Sequence, residues 1–207
     1  MGQRHERLGT PRAAGIAGVV FAILMAAAIV LVRLALPGGA DAEEITVDPA
    51  QRTAVQTALA LLPFAGIAFL WFMGAVREQA GAGEDRFVST VFLGSGLVFV
   101  ATLFGSGAAA GTVLDESQPH SPFGRHFAYV LLTTYAMRMA AVFIFTTSTI
   151  GRRLGVFPRP LVLLGYLAGL TLLVVGADVP WSELVLPAWA LIVGVHILRG
   201  RRPAAPV

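Results

Sequence analysis

Between Ala13 and Val32 the chain runs for 20 residues without one charged side chain. A helix of that length covers about 30 Å, the thickness of the hydrocarbon core of a bilayer. Hydrocarbon offers no partner to a backbone N–H or C=O, so a run of this kind folds as a spanning helix with every backbone bond internal. Arg4, Arg7 and Arg12 precede it, as in a secretory signal. The apolar part of such a signal is only about 7–15 residues, however, so the segment reads as a retained first span.

The same argument repeats along the sequence. Apolar segments at about 13–36, 54–76, 87–114 and 127–150 each pass the lower limit of roughly 17 residues for a crossing. A fifth stretch, Leu161 to Leu198, is too long for one span, and Gly176-Ala177-Asp178-Val179-Pro180 interrupts it as a charged turn. Dividing it there gives two short spans, about 161–177 and 181–198, the last opening at Trp181 or Leu184. The expected fold class is therefore all-α: a polytopic transmembrane helix bundle of six spans, five if the final hairpin is re-entrant. One membrane domain occupies 1–207, with tails at 1–12 and 199–207. Composition agrees. Charged residues are 13% of the chain, against roughly 25% in a soluble domain, so polar material is too scarce to coat a globule.

Arginine placement gives an independent test of the span count, because cytoplasmic loops are enriched in basic residues. Arg4, Arg7, Arg12, Arg77, Arg86, Arg152, Arg153, Arg159, Arg199, Arg201 and Arg202 fall on one side of the expected bundle. Only Arg33, Arg52 and Arg125 fall on the other, which collects Asp41, Glu43, Glu44, Asp48, Asp115, Glu116, Asp178 and Glu183. Both termini are expected in the cytoplasm, with the protein multi-pass in the plasma membrane and Trp71 and Trp181 near its two boundaries. The net charge of +3 is spread over loops rather than gathered in a stripe, which argues against a nucleic-acid partner.

Most polar motifs read as structure. Gly81-Ala82-Gly83-Glu84-Asp85 lacks the Lys and the strand context of a phosphate loop. Asp115, Glu116, His120 and His126 fit no defined metal spacing, so no metal and no cofactor is expected. The absence of Cys excludes disulfides and thiolate chemistry. Ser106 lies between glycines, as in rhomboid-type intramembrane proteases, but His196 is expected near the opposite membrane face, and no acid lies at mid-depth to orient a base at Ser95. No catalytic residue is assigned. Gly107 with Gly111, and Gly165 with Gly169, form GxxxG pairs whose spacing puts two small residues on one helix face, expected at close helix contacts.

Arg138 is the residue that asks for an explanation. It stands near the middle of the fourth span, where a guanidinium costs about 2.5–3.5 kcal/mol unless protein, water or ligand solvates it. The expectation is an inward-facing Arg138 in a polar pocket with Thr134, Tyr135 and Ser106, helped by the carbonyl of Leu59 that Pro63 leaves without a donor. Such a pocket suits an anionic small molecule or a lipid headgroup.

The stretch Thr147-Ser148-Thr149-Ile150, then Arg152, Gly155, Phe157-Pro158-Arg159 and Leu164-Gly165-Tyr166, resembles a segment recurring in uncharacterised multi-spanning membrane proteins of actinobacteria. The resemblance implies a bacterial plasma membrane and carries no activity. The absence of Lys among the basic residues fits a GC-rich genome. The leading functional expectation is a small accessory or scaffold subunit of a membrane complex, in contact with a membrane protein or another copy of itself. The alternative is a transporter or anionic-ligand-binding protein built on Arg138.

Overall fold

The computed structural model describes residues 10–35, 49–80, 86–113, 122–175 and 179–199, and among these no strand occurs. Residues 1–9 and 200–207 of the tails, the Gly81–Asp85 loop, the acidic loop at Asp41–Asp48, and Asp115, Glu116 and His120 lie outside the described residues. The elements are α1 (Thr10–Ala35), α2 (Pro49–Ala80), α3 (Arg86–Val113), α4 (Pro122–Val130), a π turn (Leu131–Ala136), α5 (Met137–Arg153), α6 (Arg159–Val174), a 3-10 turn (Ser182–Leu184) and α7 (Val185–Arg199). The backbone stays helical through Val130 and Met137, so α4, the π turn and α5 form one continuous pass.

Two contacts fix the direction of the passes. Arg33 at the end of α1 donates to Glu183, just before α7, which places those points at one end of the bundle. At the other end, the start of α1 meets the end of α7, where a Cβ on Gly15 would stand 2.9 Å from the carbonyl oxygen of Gly194. Among the described residues the helical passes run between a basic end, carrying Arg77, Arg86, Arg152, Arg153, Arg159 and Arg199, and the end that holds Arg33 and Glu183, named the acidic end after the acids the sequence assigns to it. Five helices are long and apolar enough to cross a bilayer by themselves. The sixth, α6, has 16 residues, or about 24 Å of axis, slightly under a full crossing.

The turn between α5 and α6 is set by its sequence. Gly155 takes the left-handed conformation (φ 66°), which a glycine adopts without a Cβ clash. Its N–H bonds the carbonyl of Arg152 (3.2 Å), and that of Val156 bonds Gly151 (3.0 Å), the two reverse bonds of a Schellman ending. Phe157 then folds back onto Gly151, where any side chain would collide with its ring. Pro158 caps α6 in an extended conformation.

The core is aromatic. Phe143 of α5 stacks on Phe92 of α3 (ring centroids 4.9 Å) and meets Phe69 (4.7 Å) and Phe72 (6.4 Å) of α2 and Trp189 of α7 (6.3 Å). Phe21 of α1 completes the cluster edge-on to Phe69 (5.0 Å). Since lipid tails are as apolar as these rings, the gain from burying them is dispersion and ring geometry rather than removal from water.

Glycines set where helices approach. Gly165 faces Ser148 and the Trp189 side chain of α7, and a Cβ on Gly169 would lie 3.2 Å from the carbonyl of Ala141, so α6 lies against α5 at backbone distance. Gly107 meets Leu62 of α2 at 3.0 Å. Gly111 differs from the packing expected of its GxxxG pair, because nothing lies within 4 Å of its Cβ position. It is exposed, on a side of α3 turned away from the neighbouring helices.

Candidate functional site

Arg138 lies on the outer surface of the bundle, which corrects the expectation of an inward-facing side chain. The reason is the helical phase of α5. Its buried residues include Ala140, Phe143, Ile144, Thr147 and Ser148, and at 100° per residue Arg138 projects roughly opposite their mean direction. The aromatic core claims Phe143, and that choice turns Arg138 out.

From Arg153 at the basic end to Arg138 there are 15 residues, about 22 Å of axis. If the hydrocarbon boundary is set at Ile150, one turn inside Arg153, the Arg138 Cα comes about 18 Å into a core of roughly 30 Å. Side chains lean toward the helix N-terminus, here the acidic end, so the guanidinium reaches on the order of 7 Å in that direction and stops about 5 Å below the far boundary. Its Nη1 donates to the carbonyl of Thr134, one turn back, at 3.2 Å. That carbonyl belongs to the π turn, where it also accepts from the N–H of Met137. Single π turns inside α-helices are often found at functional sites.

Of the residues expected to gather, three share this face and one does not. Thr134 supplies the carbonyl, and Tyr135, three residues before Arg138, is 58% exposed. Ser106 instead donates to the carbonyl of Ala128 (2.8 Å), ten residues above Arg138, and binds α3 to α4. Pro63 is exposed on α2 and takes no part. The face continues through the exposed, stacked pair Phe123 and Phe127 (5.9 Å). α3 packs along the whole of this pass, whereas α6 packs along its α5 part and ends at Val174.

His196 lies at the basic end, its ring against Phe157, while Ser106 is in the acidic half of α3. Ser95 is buried and donates to its own helix at Phe92. Neither serine meets an imidazole. Among the described residues no group of three metal-binding side chains occurs. An open groove of about 680 Å³ at the basic end, lined by Gly74, Arg77, Glu78, Arg86, Ser89, Thr90 and Leu93, carries mixed charge and faces out.

The pair Arg33 and Glu183 escaped the reading of the sequence. Their side chains are 14% and 4% exposed, and the second carboxylate oxygen of Glu183 is buried without a hydrogen-bond partner. The available signal was Arg33 itself, a cation inside the first apolar run on the side otherwise poor in Arg, since an ionisable residue within a span normally has a partner. No protein-family model, no curated protein and no solved structure matches the chain.

Proposed function

We propose that this membrane protein is a small accessory or scaffold subunit of a larger membrane complex, in the plasma membrane with both termini cytoplasmic. The observation that carries the proposal is Arg138: a residue near the middle of its span, on the outside of the bundle, whose guanidinium stays within the hydrocarbon and whose hydrogen bond goes to its own helix. One such bond offsets about 1.5–3 kcal/mol at most, and against an insertion cost of similar size the isolated chain gains nothing from the charge. A neighbouring protein that receives the guanidinium turns that neutral balance into association energy. A transporter built on Arg138 needs the side chain inside the bundle, and its exposure favours the accessory reading over that alternative. The 11-to-3 division of Arg between the two ends supports the orientation.

The test is a photo-crosslinking amino acid placed at Tyr135 and, as a control, at Leu163, both exposed. In native membranes the position 135 variant is expected to yield a discrete cross-linked species and the position 163 variant none. Reporter fusions after Val207 read the orientation, and an external signal there would reverse it.

A further inference from the structure

We infer that the Arg138 face docks a transmembrane helix of a different protein, one that carries a carboxylate at the depth of the guanidinium. The inference rests on the accessory-subunit reading and specifies the partner's chemistry. The uncovered face presents two kinds of donor one turn apart, the Arg138 guanidinium and the Tyr135 phenol, between the apolar Phe127 above and the half-buried Val142 and Phe145 below. Guanidinium binds carboxylate in a bidentate fork, and a phenol adds a further donor to the same oxygens.

A second copy of this chain does not fit. Its first four apolar runs contain no Asp or Glu, and the two acids among the described residues sit at the ends, Glu78 at the basic end and Glu183 with Arg33 at the acidic end. Two copies meeting symmetrically through this face would oppose Arg138 to Arg138. A lipid phosphate lies beyond the hydrocarbon boundary, above the reach of the guanidinium, whereas a partner helix brings its carboxylate to any depth. Among the described residues α6 ends at Val174 and α3 is the helix that packs on α4, so the other flank of α4 and the π turn is the place for that helix.

The experiment reconstitutes the full chain in phosphatidylcholine vesicles with a labelled single-span Leu/Ala helix bearing Glu, Gln or Leu at the depth of the guanidinium, about one turn inside the outer boundary, and reads association by energy transfer. The Glu helix is expected to bind at least tenfold more tightly than the Leu helix. Arg138→Met, verified as folded by its elution profile and thermal unfolding, loses that preference, and Arg138→Lys keeps part of it. Arg138→Glu reverses the preference toward a helix with Arg at that depth. Equal binding of the Glu and Leu helices to the wild-type chain overturns the inference. So does a lipid result: phosphatidylglycerol that stabilises the wild type but not Arg138→Met, and displaces the Glu helix, assigns the face to a headgroup. A native complex cross-linked through another face leaves the accessory role standing while this inference fails. Absence of any native complex defeats the role while the measured helix preference stands.

Discussion

Replacing Arg33 with Met leaves Glu183 without its cation in a place where it is 4% exposed and where one carboxylate oxygen already lacks a partner. Removing one member of a buried ion pair costs roughly 3–5 kcal/mol, because the remaining charge has lost solvent and gained nothing in return. For a chain of about 200 residues each kcal/mol moves the unfolding midpoint by about 2–4 °C, so the Arg33→Met variant should melt roughly 6–20 °C below wild type. The reverse change is milder. Glu183→Gln keeps an acceptor for the guanidinium, and Arg33, 14% exposed at the end of α1, has a long stem with which to reach water, so a loss of about 1–3 kcal/mol is expected. Removing both charges separates the worth of the pair from the penalty of breaking it: Arg33→Met with Glu183→Met should return close to wild type or exceed it. The assay is thermal unfolding of the purified protein in one detergent, followed by Trp fluorescence. A single Arg33→Met variant that melts with wild type, or a double variant no better than that single one, refutes the buried-pair reasoning.

Gly194→Val should destabilise the bundle by roughly 1–3 kcal/mol, because its Cβ would stand 2.9 Å from the carbonyl of Gly15 and 3.1 Å from the amide of Val19, backbone atoms that cannot turn aside. An unchanged melting temperature would mean that α1 and α7 are further apart. Gly165→Leu should fail to accumulate in membranes while Gly111→Leu accumulates normally, since the first meets Ser148 and Trp189 and the second meets open space. Expression measured by fluorescent fusion and size-exclusion profile checks the contrast, and equal behaviour of the two variants would remove it.

The sequence by itself determined that the chain crosses a membrane and roughly where. Uncharged runs of twenty residues leave the backbone one way to satisfy itself in hydrocarbon, and that constraint acts locally, before any packing. It also separates the loops into an Arg-rich and an Arg-poor set, because Arg placement in loops does not depend on which helices touch. The facing of each helix was not legible. In a soluble bundle the apolar stripe marks the inside, but in lipid the outward face of a span is apolar too, so Arg138 was read by its energetics, which pointed inward, although Arg152 and Arg153 project to the same side of α5 as Arg138 and mark that side as the outer one. The tertiary structure reversed that direction, because Phe143 must meet rings from α2, α3 and α7, and a helix that turns Phe143 in turns Arg138 out. The same limit applies to Gly111 and Gly165, identical in motif, of which only the second has a neighbour. Arg33 and Glu183, 150 residues apart, become partners only when the first and last passes lie side by side, a juxtaposition of distant segments that no local pattern encodes.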